Sequence, residues 1–124
     1  MNTKKCLVVD DMPSLVNLIK AYIENHPQLE VILATVKSEE AVNFIEQYPD
    51  KIDLIFTDLD MPGYSGLDIL QRIEGSSIKA FLITGSTITE DDITSSALIQ
   101  LIYKPISPTA FNKAIDNYLT SHPN

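Results

Sequence analysis

The 124 residues are 44% hydrophobic and 21% charged, with 17 acids against 9 Lys plus Arg for a formal charge of −8. That size and balance suit one self-folding domain and exclude a disordered or fibrous chain, and the acidity argues against nucleic acid, which needs a basic face. The single cysteine, Cys6, excludes an intrachain disulfide, and no apolar run approaches the roughly 20 residues of a membrane span.

The chain opens on "MNTKK", followed by only four apolar residues, Cys6 to Val9, and then two aspartates. A signal peptide would not break off there, so a reducing cytoplasm is the expected setting. Cys6 reads as core packing. The run 6–9 is the first predicted strand; further short, continuous apolar runs follow at 31–34, 54–56, 80–83 and 101–103. Continuous apolarity without alternation suits strands covered on both faces, as in a parallel sheet flanked by helices.

Helical spacing fills the gaps. Leu15, Leu18, Ile19, Tyr22 and Ile23 form one stripe behind Pro13, a residue tolerated in a first turn. Ala41, Phe44, Ile45 and Tyr48 form the next, with Ser38 as the expected N-cap. Ile69, Leu70 and Ile73 make a shorter one ending at Gly75. Residues 89–97 hold only Ile93 and Ala97 as a spaced apolar pair and are read as a short fourth helix; Phe111, Ala114, Ile115, Tyr118 and Leu119 complete a fifth behind Ser107 and Pro108. Strands alternating with helices predict an α/β fold, a doubly wound five-stranded parallel sheet with helices on both faces. In such a sheet ligands bind at the carboxyl ends of the strands.

Those ends carry the chemistry. Asp10 and Asp11 follow the first strand, Asp58 the third, Thr84 and Gly85 the fourth, Lys104 and Pro105 the fifth. Polar residues cap strands routinely, but here three carboxylates would converge and repel one another, so a cation is expected among them. Mg²⁺ fits best, because it takes one or two carboxylates and completes its octahedron with waters and phosphate oxygens. Zinc fits poorly, since neither His26 nor His122 falls near this rim. A carboxylate so screened can attack phosphorus, while Lys104 and the Thr84 hydroxyl take phosphoryl oxygens. Gly85 is expected to keep room beside Thr84, and Pro105 to fix the backbone after Lys104 through a cis bond.

These residues resemble a known family, the receiver domain of bacterial two-component response regulators. The likeness covers essentially the whole chain and rests on "LVVDDMPSL", "DLDMPGYSG", "LITGS" and "YKP", in that order. It implies the flavodoxin-like strand order 2-1-3-4-5. It implies further that Asp58 is the phosphoacceptor, that Asp11 binds Mg²⁺ directly with Asp10 helping through water, and that Asp58 and the backbone carbonyl of Asp60 complete the ligands. Thr84 and Lys104 would bind the phosphoryl group and start a conformational switch. The donor would be a phosphohistidine on a sensor histidine kinase or a histidine phosphotransfer protein. The chain would be a signalling switch that catalyses its own phosphorylation and dephosphorylation, not an enzyme with an external substrate. Positions two past Asp58 and Thr84, here Asp60 and Ser86, would tune the lifetime of the aspartyl phosphate.

One departure stands out: the place three before the lysine, often aromatic in the family, is Leu101, and Tyr103 is expected to pack or anchor at the surface. Two other readings compete. "FTDLDMPG" also resembles the Asp-x-Asp opening of haloacid-dehalogenase-like phosphatases, which would make Asp60 catalytic, although those enzymes carry it on their first strand. A docking module without phosphorylation is the other, disfavoured because every expected site residue is present. Only 20 residues follow Lys104, so residues 1–124 are expected to form a receiver domain with no effector, stand-alone or cut from a larger regulator. Its output would be a protein contact with an unknown target, including dimerisation on phosphorylation.

Overall fold

Five strands form one all-parallel sheet in the order β2-β1-β3-β4-β5, in a computed structural model that describes residues 3–121. The strands are β1 (Lys4–Val9), β2 (Leu29–Thr35), β3 (Leu54–Asp58), β4 (Lys79–Thr84) and β5 (Leu98–Tyr103). The α-helices are α1 (Pro13–Glu24), α2 (Ser38–Gln47), α3 (Gly66–Ile73) and α4 (Pro108–Ser121). This is the doubly wound parallel sheet expected from the apolar runs, in the flavodoxin-like strand order that the family resemblance implies, and no helix among the described residues is long and apolar enough to cross a membrane.

Continuous apolarity of the strands reflects burial on both sides. In β1, Cys6 and Val8 enter one core with α1 and α4, while Leu7 and Val9 enter a second with α2 and α3. The first core is aromatic: Phe56 stacks on Phe81 and Phe111 with centroids 5.0 and 5.4 Å apart. Cys6 lies fully buried, and burial pushes its thiol up to about 12, so it packs as a neutral side chain.

Two expectations about helices need correction. Residues 89–97 do not form the fourth helix; only a single 3-10 turn, Glu90–Asp92, forms there, and β5 begins at Leu98, three residues before the predicted strand. Polar side chains take the backbone and one another elsewhere. Thr89 N–H and its hydroxyl both donate to Asp92 Oδ2 (2.9 and 3.2 Å), Glu90 Oε2 accepts from Leu101 N–H (3.0 Å), and Glu74 accepts from the Ser95 hydroxyl (2.6 Å) and the Ser96 N–H (3.1 Å). Short polar side chains of this kind compete with a helix, and two apolar residues cannot offset them. Ser38, for its part, is the first residue of α2 and not its N-cap; Lys37 holds that position without a side-chain bond. The Ser38 hydroxyl is used across the fold instead.

Candidate functional site

The sheet order reverses between β1 and β3, whose neighbouring ends register Val9 against Thr57. One residue further on, Asp10 and Asp58 therefore stand side by side, and both are buried. Asp11 is exposed beside them, and one oxygen from each of Asp10, Asp11 and Asp58 lies within 4.8 Å of the others. From just past the end of β5, Lys104 reaches over with Nζ 3.1 Å from Asp58 Oδ1 and 3.8 Å from Asp10 Oδ2. The Lys104 N–H donates to the Thr84 carbonyl at 2.8 Å, which ties the lysine to the end of β4; the Lys104–Pro105 peptide is cis.

Burial is the largest influence on both inner carboxyls and pushes each above the ordinary aspartate range. For Asp58 the Lys104 ammonium pulls the other way and the Asp11 charge adds to the rise. For Asp10 the Met12 N–H, donating to Oδ1 at 2.9 Å, and Lys104 oppose a rise to which Asp58 and Asp11 contribute. Asp10 Oδ2 is buried and accepts no hydrogen bond. A buried carboxylate oxygen left so is costly unless a cation meets it.

The remaining predicted residues take definite places. Thr84 is buried at the end of β4, and its Oγ1 lies 3.0 Å from Ser86 Oγ and accepts from Ser86 N–H at 3.0 Å. Asp60 is exposed, and its carboxylate is no part of the acidic cluster. A Cβ at Gly85 would meet Lys104 at 3.9 Å, ordinary contact, so room beside Thr84 does not depend on that glycine. Leu101 is buried in the α2–α3 core, whereas Tyr103 is 45% exposed and donates from its hydroxyl to the Ile88 carbonyl at 2.7 Å. His26 lies between α1 and β2, next to Asp116 of α4, and His122 lies outside the described residues.

The turn after Asp58 is built by contacts at Leu59, Ser65 and Gly66. Leu59 N–H donates to the Ile83 carbonyl at 2.9 Å, and Gly66 N–H returns to the Leu59 carbonyl at 2.8 Å, closing the loop. Ser65 caps α3 in a reciprocal box with Asp68; the Ser-x-x-Asp spacing ahead of an apolar run was the available signal. Gly66 packs where a Cβ would fall 2.6 Å from the Asp58 carbonyl oxygen and 2.4 Å from Leu82 Cδ1. Leu82 can swing aside but the Asp58 backbone cannot, so Gly66→Ala is expected to destabilise the fold by about 1–3 kcal/mol and to slow chemistry at Asp58. Urea unfolding reads the first effect; an unchanged midpoint would contradict it.

A profile of the response regulator receiver domain family matches residues 6–116. The chain belongs to this family. It is 32% identical over 117 residues to a protein-glutamate methylesterase/protein-glutamine glutaminase of Geobacillus kaustophilus, covering 90% of this chain and 33% of the relative. It is 28% identical over 92 residues to the nitrate/nitrite response regulator protein NarL of Escherichia coli, covering 74% and 42%. The chain thus spans less than half the length of these curated relatives. Among solved structures, a response regulator receiver domain protein from Clostridium thermocellum superposes with TM-score 0.79 at 26% identity, covering 95% of each chain. A chain of the CheX–CheY–BeF3–Mg+2 complex from Borrelia burgdorferi superposes with TM-score 0.82 at 19% identity, covering 95% of this chain and 90% of that one. This chain is therefore a receiver domain of the two-component type, and the alternative drawn from the phosphatases falls away: the acidic turn follows β3, at the centre of the sheet.

Proposed function

We propose that this receiver accepts a phosphoryl group on Asp58, with Mg²⁺, from a phosphohistidine of a sensor histidine kinase or histidine phosphotransfer protein, in the cytoplasm. The observation that carries the reading is the convergence of Asp10, Asp11 and Asp58 under the Lys104 ammonium, with Lys104 Nζ 3.1 Å from Asp58 Oδ1.

The donor set suits the ion. Three carboxylates supply hard oxygens, and Asp10 Oδ2, buried without a hydrogen bond and met only by the Lys104 ammonium at 3.8 Å, marks a place where more positive charge is wanted. Asp10, Asp11, Asp58 and the backbone carbonyl of Asp60 would hold it, Asp10 in part through water. Bound there, Mg²⁺ offsets the negative charge that would otherwise repel a phosphoryl donor. Asp58 then supplies the nucleophile: a carboxylate oxygen forms the new P–O bond while the donor's P–N bond breaks and its nitrogen keeps the electron pair. Lys104 leaves its ion pair with Asp58 to take one phosphoryl oxygen, and the Thr84 hydroxyl leaves Ser86 to take another. That second movement carries the signal from the site into the 85–97 segment, where the Ile88 N–H donates to Ser86 Oγ and the Ile88 carbonyl accepts from Tyr103 of β5.

Within these residues the output is a protein contact, either onward phosphotransfer or docking to a partner that includes a second phosphorylated copy. The domain would act on itself, forming and hydrolysing its aspartyl phosphate. Incubation with Mg²⁺ and a small acyl phosphate, followed by intact mass measurement, tests this: a gain of one phosphoryl group is expected, and its loss in chelator. No gain under either condition would leave the docking-module reading.

A further inference from the structure

Ser38 sits at the start of α2, far in sequence from the acidic turn, yet its side chain is spent there. It is 4% exposed; its Oγ donates to the Pro62 carbonyl at 2.7 Å and accepts from the Tyr64 N–H at 2.9 Å. One hydroxyl thus satisfies a backbone acceptor and a backbone donor on either side of Gly63. Gly63 has φ +83°, and a Cβ there would fall 2.7 Å from Ser38 Oγ, so the loop comes this close only because residue 63 has no side chain.

This clamp lies at a sensitive place. The loop leaves β3 at Asp58 and enters α3 at Gly66, and its ends are fixed by the bonds of Leu59 and Gly66 and by the Ser65–Asp68 box. Between those ends, along residues 60–64, the backbone hydrogen bonds among the described residues run to Ser38 alone. Asp60, whose carbonyl is a proposed metal ligand, is two residues from Pro62. A carbonyl can serve a metal of strict octahedral geometry only if its peptide is held still. Helix α2 does not need this hydroxyl, since its N-cap is Lys37 and Ser38 makes no capping bond.

We propose that Ser38 is the positioning residue of the metal site: its hydroxyl fixes the 60–64 arc so that the Asp60 carbonyl faces the carboxylates, and so sets Mg²⁺ affinity. This rests on the receiver chemistry proposed above. The test is Mg²⁺ binding by calorimetry on the full chain, without phosphodonor, for wild type, Asp11→Asn and Ser38→Ala, with thermal melts in chelator alongside. Ser38→Ala is expected to keep a cooperative melt and to bind Mg²⁺ roughly tenfold more weakly, the scale of lost outer-shell partners. Should the alanine variant not fold, Ser38→Gly removes the same hydroxyl. A folded hydroxyl-less variant that binds Mg²⁺ within about twofold of a wild type dependent on Asp11 overturns the assignment alone. A wild type that binds no Mg²⁺, or binds it equally well as Asp11→Asn, overturns the underlying metal site and this assignment together.

Discussion

Asp58→Asn is expected to abolish phosphoryl uptake from an acyl phosphate, whereas Asp60→Asn keeps it and changes at most the rate at which the product hydrolyses. The two acids are two residues apart but stand in different surroundings. Asp58 is buried at the end of β3, faces Lys104 Nζ at 3.1 Å and shares a 4.8 Å cluster with Asp10 and Asp11. Asp60 is exposed and outside that cluster. An amide at 58 cannot act as an oxyanion nucleophile, so the loss should fall below detection, a drop on the order of 10⁴-fold or more when a unit of acting groups is broken. Intact mass after a fixed incubation reads both variants. Uptake that survives in Asp58→Asn would move the acceptor elsewhere, and uptake lost in Asp60→Asn would give that side chain a chemical role.

Why the sequence revealed so much of this site is a matter of topology. In a doubly wound parallel sheet the residue after a strand lands on one rim, so four short motifs placed after apolar runs put Asp10, Asp58, Thr84 and Lys104 together without any knowledge of contacts. The strand runs themselves were legible because burial on both faces leaves no polar alternation to obscure them. What the sequence hid depended on tertiary choices by small polar side chains. Ser38 looks like an N-cap because serine ahead of Glu39 and Glu40 usually is one; it clamps Pro62 and Tyr64 because Gly63 brings that loop within its reach. The 89–97 segment looks like a weak helix, but Glu90 bonds to β5 and Ser95 and Ser96 bond to Glu74, partners 11 to 22 residues away that no local pattern contains. Tyr103 shows the same limit: strand alternation gives its face, but not that its hydroxyl would meet Ile88.

In chelator, the protein is expected to become more stable as pH falls from neutrality toward about 4, and Mg²⁺ at neutral pH is expected to replace that gain. Asp10 and Asp58 both have folded-state pKa values raised, chiefly by burial, above the ordinary aspartate value of about 3.9 that the unfolded chain retains. Between the ordinary and the raised values the folded state binds more protons than the unfolded state, so stability falls as pH rises. Their favourable contribution is fully present below the ordinary value and is lost as pH rises through the raised one. Glu30, Asp68 and Glu74, whose pKa values hydrogen bonds lower, have the opposite sign, but their loss begins only as pH drops below the ordinary carboxylate range. The two effects therefore occupy different windows, and the chelated protein should melt highest on the acidic side of neutrality. Removing one buried charge acts like a proton: Asp58→Asn should raise Tm at pH 7 in chelator and flatten the slope. Adding Mg²⁺ should raise the wild-type Tm, by an equivalent of about 2.7 kcal/mol at a hundredfold excess over Kd, and should raise that of Asp58→Asn much less. Melts from pH 4 to 8 with and without the ion measure all three. A chelated wild type whose Tm falls steadily from pH 7 to 5, or a variant that Mg²⁺ stabilises as strongly as wild type, would show that the buried carboxylates are not the strained element the site geometry makes them.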